Sequence, residues 1–121
     1  REDGLEILHR ERLKLDADLP EEEPELPSDA AIAIFRCAQE ALANVLKHAH
    51  ATRVSVVLQH EDRLLRLVIE DDGAGLPEDA EVRIGSHGLK QMKFRMQAVG
   101  GRFLLEPAAP SGVRCTLELP L

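Results

Sequence analysis

The stretch AQEALANVLKHAHA, residues 38–51, carries two patterns at helical spacing. One is an apolar stripe, which predicts a helix packed against a sheet. The other is a polar stripe formed by Glu40, Asn44, Lys47 and His48. On a helical wheel of about 100° per residue, the polar stripe is narrow and the apolar stripe occupies a separate arc, from about 100° to 240° past Glu40. Within the stretch, the members of the apolar stripe are Ala38, Ala41, Leu42, Val45, Leu46 and Ala49, and Ile34 upstream falls on the same arc.

The chemistry of the polar stripe fits a metal–phosphate group. Carboxylate and amide oxygens suit a hard cation such as Mg²⁺, and an ammonium group suits phosphate oxygens. An ordinary solvated helix face has the same spacing, because polar stripes are the default on surface helices. The helix alone therefore leaves both interpretations open.

The amino-acid composition restricts the fold size and the binding partners that this chain can have. Its 121 residues predict one compact domain over 1–121, and its apolar content of 44% is enough for a core. Aromatic residues make up only 2%, so stacking of nucleic-acid bases on an aromatic platform is not expected. The net charge of −7 repels nucleic acid and anionic membrane, so we expect neither as a partner. Part of this acidity lies in PEEEPELP, residues 20–27, which predicts a solvated connector.

Cysteine usage and hydropathy predict a reduced domain without a membrane span. Cys37 and Cys115 are far apart and lack metal-ligand spacing, so we expect two reduced core thiols. The sequence shows no signal peptide and no apolar run of about 18 residues, which predicts a cytoplasmic chain. This prediction is compatible with a parent protein that is anchored in a membrane. The chain starts at Arg1 without Met, so we expect it to be part of a longer protein.

Hydrophobic periodicity predicts alternating helices and strands with two antiparallel hairpins. The first predicted elements are a helix at 2–11, a half-buried strand at 13–19, and a helix from an N-cap at Ser28 or Asp29 to about His50. Strands at 53–59 and 63–71 follow, and then a long loop at 71–88. The last elements are a helix at 89–101 and strands at 102–107 and 113–120. Leu13, Leu15, Ala17 and Leu19 define the buried face of the first strand. The order predicts a two-layer α/β sandwich, with a mixed sheet and helices on one face.

One predicted strand ends with a carboxylate that faces the core. Asp71 closes the inward row, whose earlier members are Leu65, Leu67 and Ile69, and Asp72 points the other way. A buried carboxylate is costly unless it accepts hydrogen bonds. The pattern therefore predicts an aspartate at the floor of a pocket, and an aspartate that caps a glycine turn is the structural alternative.

Two glycine pairs follow this aspartate. Gly73 and Gly75 allow the backbone to approach a flat ligand closely. Gly85 and Gly88 precede a predicted helix, whose first N–H groups favour phosphate. The second pair is a weak signal by itself, because it lacks the lysine of a Walker motif and does not follow a strand.

Combined, the motifs resemble a known family. They are, in order, Glu40-x-x-x-Asn44-x-x-Lys47-His48, Asp71-x-Gly73-x-Gly75 and Gly85-x-x-Gly88-Leu89. This series resembles the ATP-binding domain of sensor histidine kinases in the GHKL superfamily. The segments HGLKQMKFRMQAVGGRF and LELPL are similar to those of kinases that signal to NarL-type response regulators. The resemblance covers 13–121 and implies the Bergerat two-layer fold.

The resemblance implies a role for each polar residue. Asn44 would hold the Mg²⁺ that bridges the phosphates of ATP. Glu40 beside it would polarise the attacking group, so these two residues are the catalytic candidates. Lys47 and His48 would contact phosphates or ribose, and Asp71 would accept a hydrogen bond from the adenine amino group.

The resemblance also assigns the glycines and the residues near them. The further ATP-binding residues that it implies are Gly73, Gly75, Gly85, His87, Gly88 and Leu89. The first two would pass beneath the adenine. A short ATP lid at 76–88 would contain most of the others.

The chain departs from the family pattern at two places. Val113 follows Gly112 where many relatives have a Thr that orders water near the adenine. Its absence predicts weaker nucleotide affinity, with Thr116 nearby as a substitute hydroxyl. The second departure is that no dimerising helical domain with a phosphoacceptor histidine is found, and residues 1–12 would be the leading helix after such a domain.

The implied function is a kinase domain that needs partners. It would bind Mg-ATP and donate the γ-phosphate to a histidine on the dimerisation domain of the same kinase, for relay to a response regulator. One alternative is a serine kinase of the anti-sigma-factor type, which shares the nucleotide site. Another alternative is a nucleotide-sensing module without catalysis.

Overall fold

The computed structural model describes residues 13–22, 24–46, 51–73 and 86–121, and of residues 86–88 it describes the backbone alone. The helices and strands are β1 (Lys14–Asp18), α1 (Ser28–Asn44), β2 (Arg53–Glu61), β3 (Leu64–Asp71), α2 (Ser86–Ala98), β4 (Arg102–Pro107) and β5 (Val113–Pro120). The strands form one five-stranded sheet in the order β1-β2-β3-β5-β4. β1 runs parallel to β2, and the other neighbours are antiparallel. The predicted helix at 2–11 lies outside the described residues.

Both described helices cover the same face of the sheet, which confirms the predicted two-layer sandwich. Alternate residues of β3 are buried, as period two requires. Leu67 and Ile69 share one apolar cluster with Cys37 of α1 and Met92 of α2. The core is built from aliphatic and sulfur-containing side chains, because the chain has few aromatic residues.

The hairpin of β2 and β3 is confirmed, and its turn is tighter than predicted. His60 and Glu61 belong to β2 and are not part of the connection. Asp62 and Arg63 form the turn with positive φ values of 45° and 64°. Two successive residues with positive φ match the right-handed twist of the flanking strands, which allows a two-residue connection.

α1 begins earlier than predicted, and its predicted end lies outside the described residues. The N-cap is Pro27 with φ −55° and ψ 148°, and no side chain caps the helix. Ser28 is therefore the first helical residue, because the carbonyl oxygen of Pro27 already accepts the N–H of Ala31 at 3.0 Å. The regular α-helix extends to Asn44, and Val45 and Leu46 continue it as a π-helical turn. The predicted end near His50 falls among residues 47–50, which lie outside the described residues.

The prediction that β1 is half-buried is wrong. Leu13, just before the strand, is buried, but all five residues of β1 are exposed, and Leu15 and Leu19 have exposed fractions of 40% and 59%. Among the described strands β1 is at the edge and pairs with β2 alone, and the described helices pack mainly over the strands further in. Alternation of apolar residues predicts which face they share and does not show that a second layer covers that face.

α2 starts earlier than predicted and ends at Ala98, before the predicted bound at 101, while Gly100 is confirmed as the residue that stops it. Its backbone is helical from Ser86, three residues before the predicted start. Gly100 follows the helix with φ +80°, a conformation that favours glycine and ends a helix. β4 and β5 have the predicted bounds.

Both cysteines are free and buried, as predicted. The Cys37 thiol donates a hydrogen bond to the Met92 carbonyl oxygen at 3.6 Å, which connects α1 to α2. Burial raises the pKa of Cys37 to about 11 and the pKa of Cys115 to about 12. Both thiols are therefore protonated at neutral pH and serve as small apolar groups in the core.

Candidate nucleotide-binding site

The packing of the helices brings the predicted motifs to one end of the sheet. The start of α1 packs at one end, where Ala30 shares a cluster with Leu65 and Leu119. The end of α1 packs at the other, where Val45 shares a cluster with Val54. Because Val54 pairs with Asp71 across the sheet, the carboxyl ends of α1 and β3 lie together.

α2 runs in the opposite direction to α1. Val99, just past its end, packs with the cluster of Leu65 and Leu119, while Leu89 near its start packs in the main core with Val45. The first turn of α2 therefore lies at the same end of the sheet as Asn44. This arrangement gathers the polar helix, the buried aspartate and a helix N-terminus around one region.

Asp71 occupies the position that the strand pattern predicts. It is 6% exposed and closes the inward row of β3. Its carboxylate oxygen Oδ1 accepts the N–H of Gly73 at 2.8 Å, and the carboxylate also accepts the backbone N–H of Val113. A carboxylate can accept about four hydrogen bonds, so these two backbone donors leave capacity for a ligand.

Burial raises the pKa of Asp71 above its ordinary value. The hydrogen bonds from Gly73 and Val113 lower the pKa, and the nearby charges of Asp72 and Glu70 raise it, but desolvation is the largest effect. The ionised carboxylate is therefore less stable here than in water. An additional donor from a ligand relieves part of that cost.

Gly112 is a site residue whose role the sequence did not reveal. Its φ is +107°, and a Cβ added to it would overlap the carbonyl oxygen of Asp71 and lie 2.7 Å from the carbonyl carbon. Because Gly112 has no side chain, the turn before β5 packs directly against the end of β3. That close approach is what allows the Val113 N–H to reach the carboxylate of Asp71. The sequence showed Gly112 only as the residue before an unexpected valine.

The suggestion that Thr116 replaces the missing threonine is wrong. Thr116 pairs with Val68, whereas the inward residue Ile69 pairs with Cys115. The side chain of Thr116 therefore lies on the opposite face of the sheet from Asp71. At residue 113 the backbone N–H contacts Asp71, and the chain provides no hydroxyl there.

Asp72 accepts hydrogen bonds on the outer face of the sheet, next to the end of β3. Its Oδ1 accepts the N–H groups of Thr52 and Arg53 at 2.8 and 2.9 Å, and its Oδ2 accepts the Thr52 hydroxyl at 2.6 Å. The hydrogen bond from the Thr52 hydroxyl is the largest of several effects that lower the pKa of Asp72. Asp72 therefore ties the start of β2 to the end of β3.

The polar stripe of α1 is not separate from the buried face. The buried residues Ala33, Cys37, Ala41 and Val45 fall between about 20° and 140° past Glu40 on the wheel. The predicted arc from 100° to 240° also faces the core, where Ile34, Ala38, Leu42 and Leu46 are partly buried, so the buried arc is wider than predicted. Asn44, at about 40°, falls within the buried arc and is partly buried. The arc extends toward the polar stripe because α2 packs on that side of α1, where the Cys37 thiol donates a hydrogen bond to the Met92 carbonyl oxygen.

Glu40 and Asp71 line different cavities among the described residues. Glu40 is partly buried and faces a cleft of about 300 Å³ between α1 and α2. The residues that line this cleft are Arg36, Gln39, Glu40, Ala43, Gln91, Met92 and Arg95. Asp71 contributes to a smaller pocket of about 190 Å³ at the end of β3, whose other lining residues include Arg53, Ser55, Glu70 and Asp72 of the outer face.

Several predicted site residues lie outside the described part of the chain. These are Lys47, His48, Gly75 and Gly85. For His87 and Gly88 only the backbone is described, and it forms the first turn of α2. Leu89 is 6% exposed, so its side chain packs in the core.

The described residues contain neither a cluster of metal ligands nor a membrane-spanning helix. Across 13–22, 24–46, 51–73 and 86–121, no group of three or more His, Cys, Asp or Glu residues is close enough to hold a metal ion. In the same part of the chain, no helix is long and apolar enough to cross a membrane.

Comparison with known sequences identifies a family. Residues 29–121 match the model of the histidine kinase-, DNA gyrase B- and HSP90-like ATPases. The chain is 38% identical over 103 residues to the histidine-protein kinase/phosphatase UhpB of Salmonella typhimurium, covering 82% of this chain and 19% of that protein. It is 40% identical over 90 residues to the nitrate/nitrite sensor NarX of Escherichia coli, covering 74% and 14%. It is 38% identical over 88 residues to the sensor protein VraS of Staphylococcus aureus, covering 73% and 25%.

Solved structures show the same fold. The histidine kinase domain of the blue-light activated kinase EL346 from Erythrobacter litoralis superimposes with a TM-score of 0.80 at 24% identity, covering 98% of this chain and 57% of that one. Full-length ShkA in complex with AMPPNP superimposes with a TM-score of 0.79 at 18% identity, covering 95% and 27%. The chain spans a quarter or less of the length of the three curated relatives. The chain therefore belongs to the histidine kinase-, DNA gyrase B- and HSP90-like ATPase family, as an ATPase domain of the sensor-kinase type.

Proposed function

We propose that the chain is the ATP-binding catalytic domain of a two-component sensor histidine kinase. It binds Mg-ATP and donates the γ-phosphate to a histidine on the dimerisation domain of the same kinase. The phosphoryl group then passes to a response regulator. The observation that carries this proposal is the buried Asp71 carboxylate, which retains acceptor capacity at the end of β3.

Asp71 accounts for recognition of the base. An adenine amino group is a neutral N–H donor, and a desolvated carboxylate is a strong acceptor for it. Gly73 and Val113 orient the carboxylate through their backbone N–H groups, so the acceptor is in place before the ligand arrives. Gly73 and Gly75 contribute the flat surface beneath the base.

Glu40 and Asn44 account for the phosphates and the transfer. They lie one turn apart near the carboxyl end of α1, and Glu40 lines the cleft between α1 and α2. The amide oxygen of Asn44 is a hard ligand, which fits Mg²⁺ bound to the phosphates of ATP. The ion supplies positive charge that an acidic domain lacks. Glu40 polarises the attacking imidazole, and it reaches solvent through the cleft between the helices.

The other residues of the proposed site contact the triphosphate and ribose. Lys47 and His48 extend the polar stripe beyond Asn44, in the order that the family motif has. The backbone of Gly85, His87, Gly88 and Leu89 approaches the phosphates at the start of α2, where the helix dipole favours an anion. The complex of ShkA with AMPPNP supports nucleotide binding to this fold.

Paired substitutions test the assignment of the base and the metal. We expect Asp71→Asn to weaken ATP binding roughly ten- to a hundredfold, because the amide loses a charge-assisted hydrogen bond. The control is Asp72→Asn, which changes the same charge one residue away on the outer face. Calorimetric titration with ATP, with and without Mg²⁺, measures both. Unchanged affinity in Asp71→Asn would show that the base binds elsewhere.

Asn44→Ala tests the metal separately. We expect its affinity for ATP to become nearly independent of Mg²⁺, while binding of ATP without the ion is retained. A full Mg²⁺ dependence in this variant would contradict the role of Asn44.

The proposed partners follow from the same site. The dimerisation domain and a response regulator are proteins, and the reaction takes place in the cytoplasm, where ATP is available. The comparisons give no support to the serine-kinase or nucleotide-sensing alternatives, since the curated relatives are histidine kinases and sensor proteins. Incubation with labelled ATP and the dimerisation domain distinguishes them, because phosphohistidine is acid-labile and phosphoserine is not.

A further inference from the structure

The outer face of the sheet, on the side away from the helices, carries an apolar row between two charged rows. The strand register aligns the apolar row across four strands as Val57, Val68, Thr116 and Leu104. Thr116 is buried among its neighbours, the two valines are partly buried, and Leu104 is 36% exposed. No described helix covers this face, because both described helices pack in clusters with the inward side chains of the sheet.

The two charged rows have opposite orders of sign. Along β3, β5 and β4, the first row is Arg66, Glu118 and Arg102, and the second row is Glu70, Arg114 and Glu106. The first row therefore alternates plus, minus, plus, and the second alternates minus, plus, minus. Three arginines balance three glutamates, so these rows are neutral in a chain whose net charge is −7. The face lacks the long-range repulsion that the rest of the acidic surface has toward another copy of the chain.

The residues of the charged rows on β4 are the least engaged within the chain. Arg66 lies 2.7 Å from Glu118, and Arg114 lies 2.6 Å from Glu70. Arg102, in contrast, lies 3.6 Å from Glu118 with 66% of its side chain exposed. The exposed Glu106 acts on Arg114 through its charge. These two side chains have the most capacity for a partner outside the chain.

We propose that this outer face binds the same face of a second copy of the chain. A two-fold axis that lies in the interface along the apolar row stacks that row on itself and exchanges the two charged rows. Every charge then faces its opposite in the second copy: Arg66 faces Glu70, Glu118 faces Arg114, and Arg102 faces Glu106. The product is an aligned sandwich of two sheets, with complementary charges on both sides of an apolar centre.

The charge pattern selects this axis over the other symmetric choice. A two-fold axis parallel to the strands also stacks the apolar rows, but it puts Arg102 opposite Gln59 and Glu106 opposite Ser55, which carry no charge. The pairing stops before β1, because Asp18 continues the apolar row and would face its own copy. Sheet twist separates the edges of the two copies at that position.

The size of the patch predicts a weak interface. Four strands about 4.8 Å apart and three rows about 7 Å apart cover roughly 400 Å² of each copy. Interfaces of this size belong to transient complexes, so we expect a dissociation constant in the high micromolar range. Pairing is then favoured wherever a longer protein holds two copies close together.

The paired face lies on the opposite side of the sheet from the nucleotide site. Asp71 closes the inward row of β3, under the helices, so self-association leaves the nucleotide sites of both copies uncovered. Self-association therefore goes beyond the proposed function and does not depend on it. We expect the affinity for ATP to be the same in every variant of the outer face.

A charge exchange between two copies tests the pairing. Sedimentation of the chain from roughly 10 μM to 1 mM, at about 0.15 M salt, measures the dissociation constant of the dimer. We expect Arg102→Glu and Glu106→Arg each to raise it at least roughly tenfold, because each variant alone places like charges opposite each other. An equimolar mixture of the two variants should associate as tightly as the unaltered chain, because both contacts are then complementary.

Matched controls change the same charges elsewhere. Lys93→Glu, on the exposed side of α2, and Glu22→Arg, in the exposed connector, should leave the dissociation constant within about twofold. Leu104→Asp should weaken the dimer as Arg102→Glu does, because it puts two carboxylates in the apolar row. Thermal unfolding of each variant verifies that the fold is retained.

The outcomes separate self-association from the proposed function. A chain that stays monomeric up to roughly 1 mM contradicts the proposal and assigns the outer face to a different partner. A mixture no more associated than its two components contradicts the pairing of Arg102 with Glu106. Equal weakening by Lys93→Glu would assign the effect to net charge, which also overturns the proposal. Failure of the chain to bind ATP, with dimerisation and its rescue as expected, would contradict the proposed function alone.

Discussion

Asp71 and Asp72 are adjacent residues whose carboxylates lie on opposite faces of the sheet. Asp71 is buried, receives two backbone N–H groups and has a raised pKa. Asp72 is exposed, receives three hydrogen bonds from Thr52 and Arg53, and has a lowered pKa. Burial dominates at the first residue and hydrogen bonding dominates at the second.

The difference shows how one strand end can serve both function and stability. The inner carboxylate keeps acceptor capacity in a desolvated place, which weakens the apo fold and prepares it for a ligand. The outer carboxylate uses its oxygens to tie β2 to β3 and supports the strand end that carries its neighbour. The following changes test whether these two roles are separable.

The largest effect is expected from Gly112→Ala, which removes the close approach that orients Asp71. The new Cβ would overlap the Asp71 carbonyl oxygen, and the φ of +107° is strained for any L-residue. We expect a loss of roughly 2–5 kcal/mol in the free energy of unfolding, together with loss of ATP binding. Urea denaturation measures the first and calorimetry the second.

Gly100→Ala is the control for backbone strain without steric overlap. Gly100 has φ +80°, but a Cβ there would meet no atom within 4 Å. We expect a loss of about 1–2 kcal/mol and unchanged ATP affinity. Equal losses in the two variants would show that the contact with Asp71 contributes nothing.

Asp71→Asn should separate stability from binding. The folded-state pKa of Asp71 lies above the unfolded value, so the folded chain binds more protons between the two, and stability falls as pH rises through that window. The amide variant lacks this decline, so we expect it to unfold at a higher temperature at neutral pH than the unaltered chain. A lower midpoint would contradict the raised pKa.

ATP binding should follow the ionisation of the same group. We expect affinity in the unaltered chain to fall as pH decreases through the raised pKa of Asp71, because the protonated carboxyl loses its charge. Titrations with ATP at decreasing pH, starting from neutral, measure this change in affinity. The Asp71→Asn variant is the reference, because it has no ionisable carboxyl at this position. An equal pH dependence in both would assign the effect to another group.

A smaller effect is expected from Asp72→Ala. The lowered pKa means that the Asp72 contribution is present above the unfolded pKa and is lost as pH falls through the folded pKa. The variant should be modestly less stable at neutral pH and no different from the unaltered chain in strong acid. Thermal unfolding at both pH values tests this, and ATP affinity should persist because Asp71 is untouched.

The strand pattern around these residues was predictable because it follows from period two. The inward row ending at Asp71, the bounds of β4 and β5 and the stop at Gly100 all come from local periodicity and local backbone preference. The helix motif with Glu40 and Asn44 was equally visible in the sequence. These features depend on residues close together in the chain.

The features that were missed depend on contacts between distant segments. The buried arc of α1 is wider than predicted because α2 packs beside it, and the sequence of α1 alone does not show where α2 packs. Leu15 alternates correctly, but no described helix covers the edge strand. The role of Gly112 needed its packing against Asp71, and the wrong role for Thr116 needed the pairing register of β5 with β3.

The smallest effect is expected on the outer face, from Arg66→Gln. Arg66 lies on β3 between inward neighbours and pairs with Glu118 at 2.7 Å, with 43% of its side chain exposed. Glu118 retains Arg102 at 3.6 Å as a second partner, and exposed pairs contribute little after solvent screening. We therefore expect a loss of less than about 1 kcal/mol, which shrinks further in salt. Thermal unfolding at low and high ionic strength measures it. A loss as large as that of Gly112→Ala would mean that the outer face stabilises the fold as strongly as the contact behind Asp71, which would remove the distinction between the two sides of the strand.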